Sequence, residues 1–191
     1  NINKTPTISQ KEVLEFLEER KNYLEGVCIT GGEPTLWKGL IPLILKIKNV
    51  GCAVKLDTNG GRPEVLRKII GEGIVDYIAM DIKASLESYQ KVAGAFTDVE
   101  KIRESISLIK GSGIAHEFRT TIIPDMINEN EIKEISKLVG SSSSYYLQQF
   151  RANEKTIDKR YASMQSVPEA RLEVFMNLAK DKVPLVALRN I

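Results

Sequence analysis

Four short segments of this sequence carry the side chains best suited to chemistry. In Gly31-Gly32-Glu33-Pro34, two glycines let the backbone approach a ligand closely, and Glu33 can accept from an ammonium. The same four residues also read as a plain tight turn. In Asp57-Thr58-Asn59-Gly60, a carboxylate, a hydroxyl and an amide follow one another, a set fitted to a ribose or an amino-acid carboxylate, although Asn-Gly alone marks an ordinary turn. The other two segments carry charges at alternate positions: Asp81 and Lys83, then Glu117 and Arg119 with Thr121. Lys55, Asp57 and Asn59 show the same alternation, so in extended chain all these residues fall on one face. The opposite face would carry Val54, Leu56, Ile78, Met80, Ile82, Phe118 and Ile122. Lys55, Lys83 and Arg119 balance Asp57, Asp81 and Glu117, a lining that suits a zwitterionic ligand. Burying an unpaired charge costs several kcal/mol, so these groups pair either with one another or with something bound. Lys83 or Lys55, inside a barrel and near carboxylates, would also suit a Schiff base of the aldolase kind.

Elements that could position these residues are announced by strong punctuation. Ser9 and Glu12 form a capping box ahead of Val13, Phe16, Leu17 and Leu24 at helical spacing, so the chain starts on a helix. A buried strand over 27–30 ends in the glycine turn, and a helix runs from about Lys38 to Asn49. The alternation continues with a strand over 53–57, a helix opened by Pro63 and closed at Gly71, and a strand over 76–82. A helix carrying Ile102, Ile106 and Ile109 precedes a strand over 115–123, which Pro124 stops. Ile132, Ile135, Leu138 and Val139 mark the next helix, ending at Gly140, and a strand over 145–150 follows. Residues 151–165 read as irregular. A last helix through Leu172, Phe175 and Leu178 gives way to a strand over 184–188. Repeated βα units imply parallel strands with helices packed outside, in an open sheet or a full or partial barrel. The leading helix lacks a strand before it, which implies one missing strand.

Composition narrows the possible roles. The 191 residues are 42% hydrophobic and 27% charged, ordinary for one soluble globular domain over 1–191. Basic residues number 27 and acidic residues 25, for a formal charge of +2, and they are spread along the chain. That distribution argues against a nucleic-acid stripe or a membrane-binding helix. No apolar run approaches the roughly 18 residues a membrane span requires. Only Cys28, Cys52 and the single His116 are available, which excludes a zinc site of Cys and His alone and makes the cytosol the expected compartment. Both cysteines read as small buried hydrophobes. His116 shares a strand face with Phe118 and Ile122 and reads as a packing histidine. Asn1 in place of an initiator Met is expected to mark a piece of a longer polypeptide.

In order, Gly31-Gly32-Glu33-Pro34, Leu56-Asp57-Thr58-Asn59-Gly60 and Met80-Asp81-Ile82-Lys83 resemble the radical S-adenosylmethionine enzymes, specifically the glycyl-radical activating enzymes. Tyr89-Gln90-Lys91-Val92-Ala93-Gly94, Glu117-Phe118-Arg119-Thr120-Thr121 and Tyr146-Leu147-Gln148-Gln149-Phe150 are most similar to the activating proteins of anaerobic ribonucleoside-triphosphate reductase. Pyruvate formate-lyase activating enzymes are the near relatives. The resemblance implies a partial (βα)6 TIM-like barrel, here without its first strand. It implies that Gly31, Gly32, Glu33 and Pro34 hold the methionyl ammonium of S-adenosylmethionine, and that Asp57, Thr58 and Asn59 meet its ribose or carboxylate. Asp81 and Lys83 would bind the methionyl group or ribose, with Arg119 and Gln148 nearby. The implied reaction is reductive cleavage of S-adenosylmethionine to methionine and a 5′-deoxyadenosyl radical, which takes hydrogen from a glycine of a partner enzyme. The implied partner is anaerobic ribonucleotide reductase, with flavodoxin or ferredoxin as electron donor.

The same resemblance implies a [4Fe–4S] cluster held by a CxxxCxxC loop after the first strand, and this sequence contains no such loop. The loop and the missing strand are therefore both expected upstream of Asn1. The residues leave a further reading open, a barrel without a cluster that only binds S-adenosylmethionine or a nucleoside.

Overall fold

Ser9 caps α1 (Gln10–Arg20) as the capping box predicts: its hydroxyl accepts from the Glu12 N–H, and the Glu12 carboxylate accepts from the Ser9 N–H. The computed structural model describes residues 7–93, 97–141, 143–152 and 161–191. From α1 the chain alternates through β1 (Gly26–Ile29), α2 (Leu40–Val50), β2 (Ala53–Thr58), α3 (Pro63–Gly71) and β3 (Tyr77–Asp81). It continues through α4 (Tyr89–Ala93), α5 (Val99–Gly111), β4 (Ala115–Ile122), α6 (Glu129–Val139), β5 (Ser144–Gln149), α7 (Glu169–Lys180) and β6 (Leu185–Arg189). Pro63 opens α3 with its preset φ. The short α4 is an element that periodicity did not announce, because five residues are too few to display a helical repeat. Of the stretch read as irregular, residues 153–160 lie outside the described residues, and the described remainder holds only a short turn.

All six strands are parallel and pair in the order β1-β2-β3-β4-β5-β6. Among the described residues the sheet does not close, so it is a partial barrel. Helices α1 with α2, α3 with α5, and α6 with α7 pack beside one another against the sheet. The core lies between sheet and helices, where Ile44, Leu56, Leu66, Ile78, Phe118 and Leu172 are fully buried. One face of each strand is thus apolar, and the other is left to the interior of the curved sheet. Gly60 leaves β2 at φ +73, and Ser105 of α5 donates to its carbonyl at 2.7 Å. A Cβ there would run into Met80 and come within 3.3 Å of Ser105, so only glycine permits this close approach of strand exit and helix.

Candidate active site

Register places the charged residues in one continuous patch on the interior face. Asp81 pairs with Arg119, Ala79 with Glu117, and Thr121 with Gln148. Arg119, only 12% exposed at its side chain, donates from Nε to Asp81 Oδ1 at 2.8 Å and from Nη1 to Asp57 Oδ2 at 3.1 Å. It thereby ties three adjacent strands together. Below it lies Glu117, 2% exposed. Arg189 forks this carboxylate at 2.7 and 2.8 Å, the Tyr77 hydroxyl donates to it at 3.0 Å, and Lys55 stands 3.6 Å away. The Arg189 guanidinium also lies 3.4 Å from the centre of the Tyr146 ring. Five strands, β2 to β6, thus each supply one residue to a single layer.

Burial alone would raise the Glu117 carboxyl, but hydrogen bonds from Arg189 and Tyr77 and the Lys55 charge hold it below the usual carboxylate range. The Tyr77 phenol is pushed up to about 12 by desolvation and by the carboxylate it faces. Desolvation pulls Arg119 down, yet Asp81 and Asp57 outweigh it and leave the guanidinium still more firmly charged. Asp57 Oδ1 is buried and accepts no hydrogen bond, with the Lys55 ammonium 3.6 Å away as its ion-pair partner.

Above this layer, at the C-terminal ends of the strands, the arrangement is different. Gly31 turns at φ +128, and nothing lies within 4 Å of a Cβ built on Gly31 or Gly32, so the backbone of this turn faces open space. Pro34 begins a single 3₁₀ turn, Pro34–Leu36, for which Glu33 is the cap. Glu33 Oε1 accepts from the Thr35 N–H at 3.2 Å and from the Thr35 and Thr58 hydroxyls at 2.5 and 2.8 Å, while Oε2 accepts from the Asn59 N–H at 2.7 Å. Glu33 therefore braces the glycine turn against the exit of β2. Lys83 Nζ lies 2.9 Å from Asp81 Oδ2 and is partly exposed. Among the described residues, Thr121 and Gln148 make no side-chain hydrogen bonds. A cavity of about 720 Å³ opens beside Thr121, with Asn59, Lys83, Tyr89, Ile102 and Phe150 also in its lining.

Most expected site residues converge. Asp57, Asp81, Lys83 and Arg119 form one chain of ion pairs, and Gly31 to Pro34 meet Asn59 at the rim. Thr58 departs from expectation: its side chain, 4% exposed, turns to the helix side and bonds Glu33 and the Gly60 N–H rather than the interior. The neutral charge balance also needs correction, because Arg189 adds a fourth cation to the face. The expected end of this strand at Leu188 falls one residue short: β6 runs to Arg189, which keeps the face of Leu185 and Ala187. Cys52 is buried as expected, but Cys28 is exposed. It sits opposite Lys55 on the interior face of an edge strand, where no described element covers it. Its thiol is raised by partial desolvation and by Asp57. His116 packs edge-on to Phe118, at 5.7 Å between ring centres.

The fold and this strand-end site define a class, and sequence comparison names it. The family model described as the radical SAM superfamily matches residues 1–139, and the chain belongs to that superfamily. A protein of Methanocaldococcus jannaschii, provisionally named a glycyl-radical enzyme activating enzyme, is 32% identical over 174 residues, covering 88% of this chain and 72% of its own. Two solved structures show the same fold. A domain of pyruvate-formate lyase-activating enzyme from Bacteroides vulgatus has a TM-score of 0.68 at 18% identity, over 86% of this chain and 99% of that domain. Streptococcus suis SuiB bound to S-adenosylmethionine has a TM-score of 0.70 at 14% identity, over 97% of this chain and 44% of its own.

Members of the superfamily use S-adenosylmethionine with a [4Fe–4S] cluster. The site suits the first: a buried carboxylate oxygen that accepts no hydrogen bond, an open glycine turn and an adjacent cavity together offer acceptors, donors and room. The cluster does not fit the residues present. The chain has two cysteines, Cys28 and Cys52, and no described group of His, Cys, Asp and Glu is arranged to hold a metal.

Proposed function

We propose that this chain is the S-adenosylmethionine-binding part of a glycyl-radical enzyme activating enzyme. The observation that carries this reading is the buried Oδ1 of Asp57, which has the Lys55 charge 3.6 Å away but accepts no hydrogen bond, below a rim of unused polar groups. Its hydrogen-bonding capacity is left unfilled, and a ligand hydroxyl or ammonium would use it. Lys83 offers its remaining N–H donors to a carboxylate, and Gln148 and Thr121 offer an amide and a hydroxyl. Gly31 and Gly32 bring backbone to the ligand without side chains, Pro34 stiffens the turn, and Glu33 holds that turn in register with Asn59. In this arrangement Asp57, Asn59, Asp81 and Lys83 contact the ligand, while Thr58 and Arg119 hold the contacting groups in place. Bound S-adenosylmethionine is the source of the 5′-deoxyadenosyl radical, and the chain contributes orientation and charge. The cluster cysteines then belong to polypeptide outside these 191 residues. The partner is a cytosolic glycyl-radical enzyme, and the Tyr89 to Ala93, Glu117 to Thr121 and Tyr146 to Phe150 segments favour anaerobic ribonucleotide reductase, with flavodoxin or ferredoxin supplying the electron.

Two measurements test this. The intact mass and N-terminal sequence of the natural polypeptide, set beside the 21.4 kDa of this chain, should reveal a longer protein with a CxxxCxxC loop. A natural start at Asn1 would remove the activase reading and leave a binding module. Calorimetric titration of the cluster-loaded protein with S-adenosylmethionine should show Lys83→Ala weakening binding by more than about 1 kcal/mol, and unchanged affinity would take Lys83 out of the site.

A further inference from the structure

Glu131 lies in the first turn of α6 and is 6% exposed. The pattern Asn128 to Glu131 is that of a capping box, and half of the box forms: the Asn128 side chain accepts from the Glu131 N–H at 3.0 Å. The reciprocal bond does not. Instead the Glu131 carboxylate reaches the loop between β3 and α4, where Oε2 accepts from the Ser85 N–H at 2.7 Å and Oε1 accepts from the Ser85 and Ser88 hydroxyls at 3.0 and 2.7 Å. A buried carboxylate diverted from its local cap to three donors 43 to 46 positions away is an anchor.

The anchored loop begins two residues after Lys83. Three backbone groups at the start of this exit are held. The Ile82 N–H donates to the Arg119 carbonyl at 2.8 Å, and the Ile82 carbonyl accepts from the Thr120 hydroxyl at 2.8 Å. The Tyr145 hydroxyl in turn donates to Thr120 at 2.8 Å. The Lys83 N–H donates to the Tyr89 hydroxyl at 3.3 Å. Tyr89 opens α4, whose approach is the Ser85 to Ser88 turn that Glu131 holds. The first part of the exit is fixed from β4 and β5. The second part, comprising the Ser85 turn, Tyr89 and through it the Lys83 amide, is tied to α6 by Glu131.

We propose that Glu131 is a positioning residue: through Ser85 and Ser88 it sets α4 and Tyr89, and thereby the placement of Lys83 and the wall of the adjacent cavity. The role in ligand binding rests on the reading of Lys83 given above. Sites that must hold a ligand to within about 0.5 Å depend on such second contacts, and an anchor this far away in sequence fixes the loop without touching the ligand.

Amide hydrogen exchange on the natural protein, with calorimetric titration by S-adenosylmethionine of the cluster-loaded form, tests the role. In Glu131→Ala, protection of residues 83–93 should fall while β4, β5 and the later turns of α6 keep theirs. Affinity should drop about tenfold with a much smaller loss of thermal stability than a core deletion brings. Glu131→Gln keeps the volume and an acceptor for the Ser85 N–H, and the serine hydroxyls can turn to meet its amide, so it should restore affinity to within about threefold of the parent. Ser88→Ala removes one of the three donors from the other side and should reproduce a lesser part of the exchange change; it carries the test if Glu131→Ala does not fold. Unchanged exchange at 83–93 in Glu131→Ala or Ser88→Ala overturns the proposal. So does a Glu131→Gln variant as impaired as Glu131→Ala with exchange raised throughout the chain. If exchange changes as expected while neither Lys83→Ala nor Glu131→Ala alters affinity, the anchor stands and the ligand reading of Lys83 fails.

Discussion

The interior face divides into two layers of similar composition and opposite state. The lower layer, with Lys55, Tyr77, Glu117, Tyr146 and Arg189, is closed on itself: the Glu117 carboxylate has the Arg189 fork, the Tyr77 hydroxyl and Lys55 around it. The upper rim, with Asp57, Lys83, Thr121 and Gln148, retains a buried carboxylate oxygen that accepts no hydrogen bond and uncommitted donors. A purely structural network would be satisfied throughout, since half-paired buried polar groups destabilise a fold. The difference therefore separates the part that holds the sheet together from the part that waits for a ligand. Arg119 and Lys55 join the two: Arg119 pairs with Asp57 and Asp81 and comes within 4.0 Å of Glu117, and Lys55 stands 3.6 Å from both Asp57 and Glu117.

Breaking the lower layer should have the largest effect. Glu117→Ala leaves Arg189 and Lys55 facing one another and is expected to lower unfolding free energy by roughly 3–5 kcal/mol in urea denaturation. A loss under about 1 kcal/mol would make the layer dispensable and erase the distinction. The same carboxylate gives the layer a pH signature. Its folded-state pKa is depressed, so its contribution is fully present above the ordinary glutamate value of about 4.3 and is lost as pH falls through the lower folded value. Glu117→Gln should flatten that acid limb of the stability curve. At the rim, Lys83→Ala should weaken S-adenosylmethionine binding by more than about 1 kcal/mol yet shift stability by no more than about 0.5 kcal/mol, because its side chain is partly exposed. Equal effects on both would join the layers into one. Smaller still, Tyr145→Phe removes a buried hydroxyl that donates to Thr120 and should cost about 1 kcal/mol by thermal unfolding. Gly31→Ala meets no atom and should lose about as much through its positive φ alone.

Local features were legible in the sequence. The Ser9 box and Pro63 located α1 and α3, because caps and first-turn prolines act within one turn of chain. Strand alternation predicted which face Asp57, Asp81 and Arg119 share, since a period of two needs no tertiary information. Partners across strands were not legible. Glu33 was assigned to a ligand, and its bonds to Thr58 and Asn59, 25 and 26 positions away, exist only once β1 and β2 lie side by side. The role of Arg119 as a clamp likewise depends on Asp57 62 positions earlier. Arg189 was missed for a smaller reason, a strand read one residue short.

The strictly sequential order of the sheet has a kinetic consequence. Each strand pairs only with its immediate predecessor and successor, at offsets between 22 residues, from Lys55 to Tyr77, and 41 residues, from Ser144 to Leu185. No pairing requires distant ends of the chain to find each other, so the loop-closure entropy that slows non-local topologies is met in modest instalments. Folding can nucleate on any adjacent βα pair and add strands one at a time in the order in which a ribosome delivers them. Each newly emerged strand then finds its template already formed.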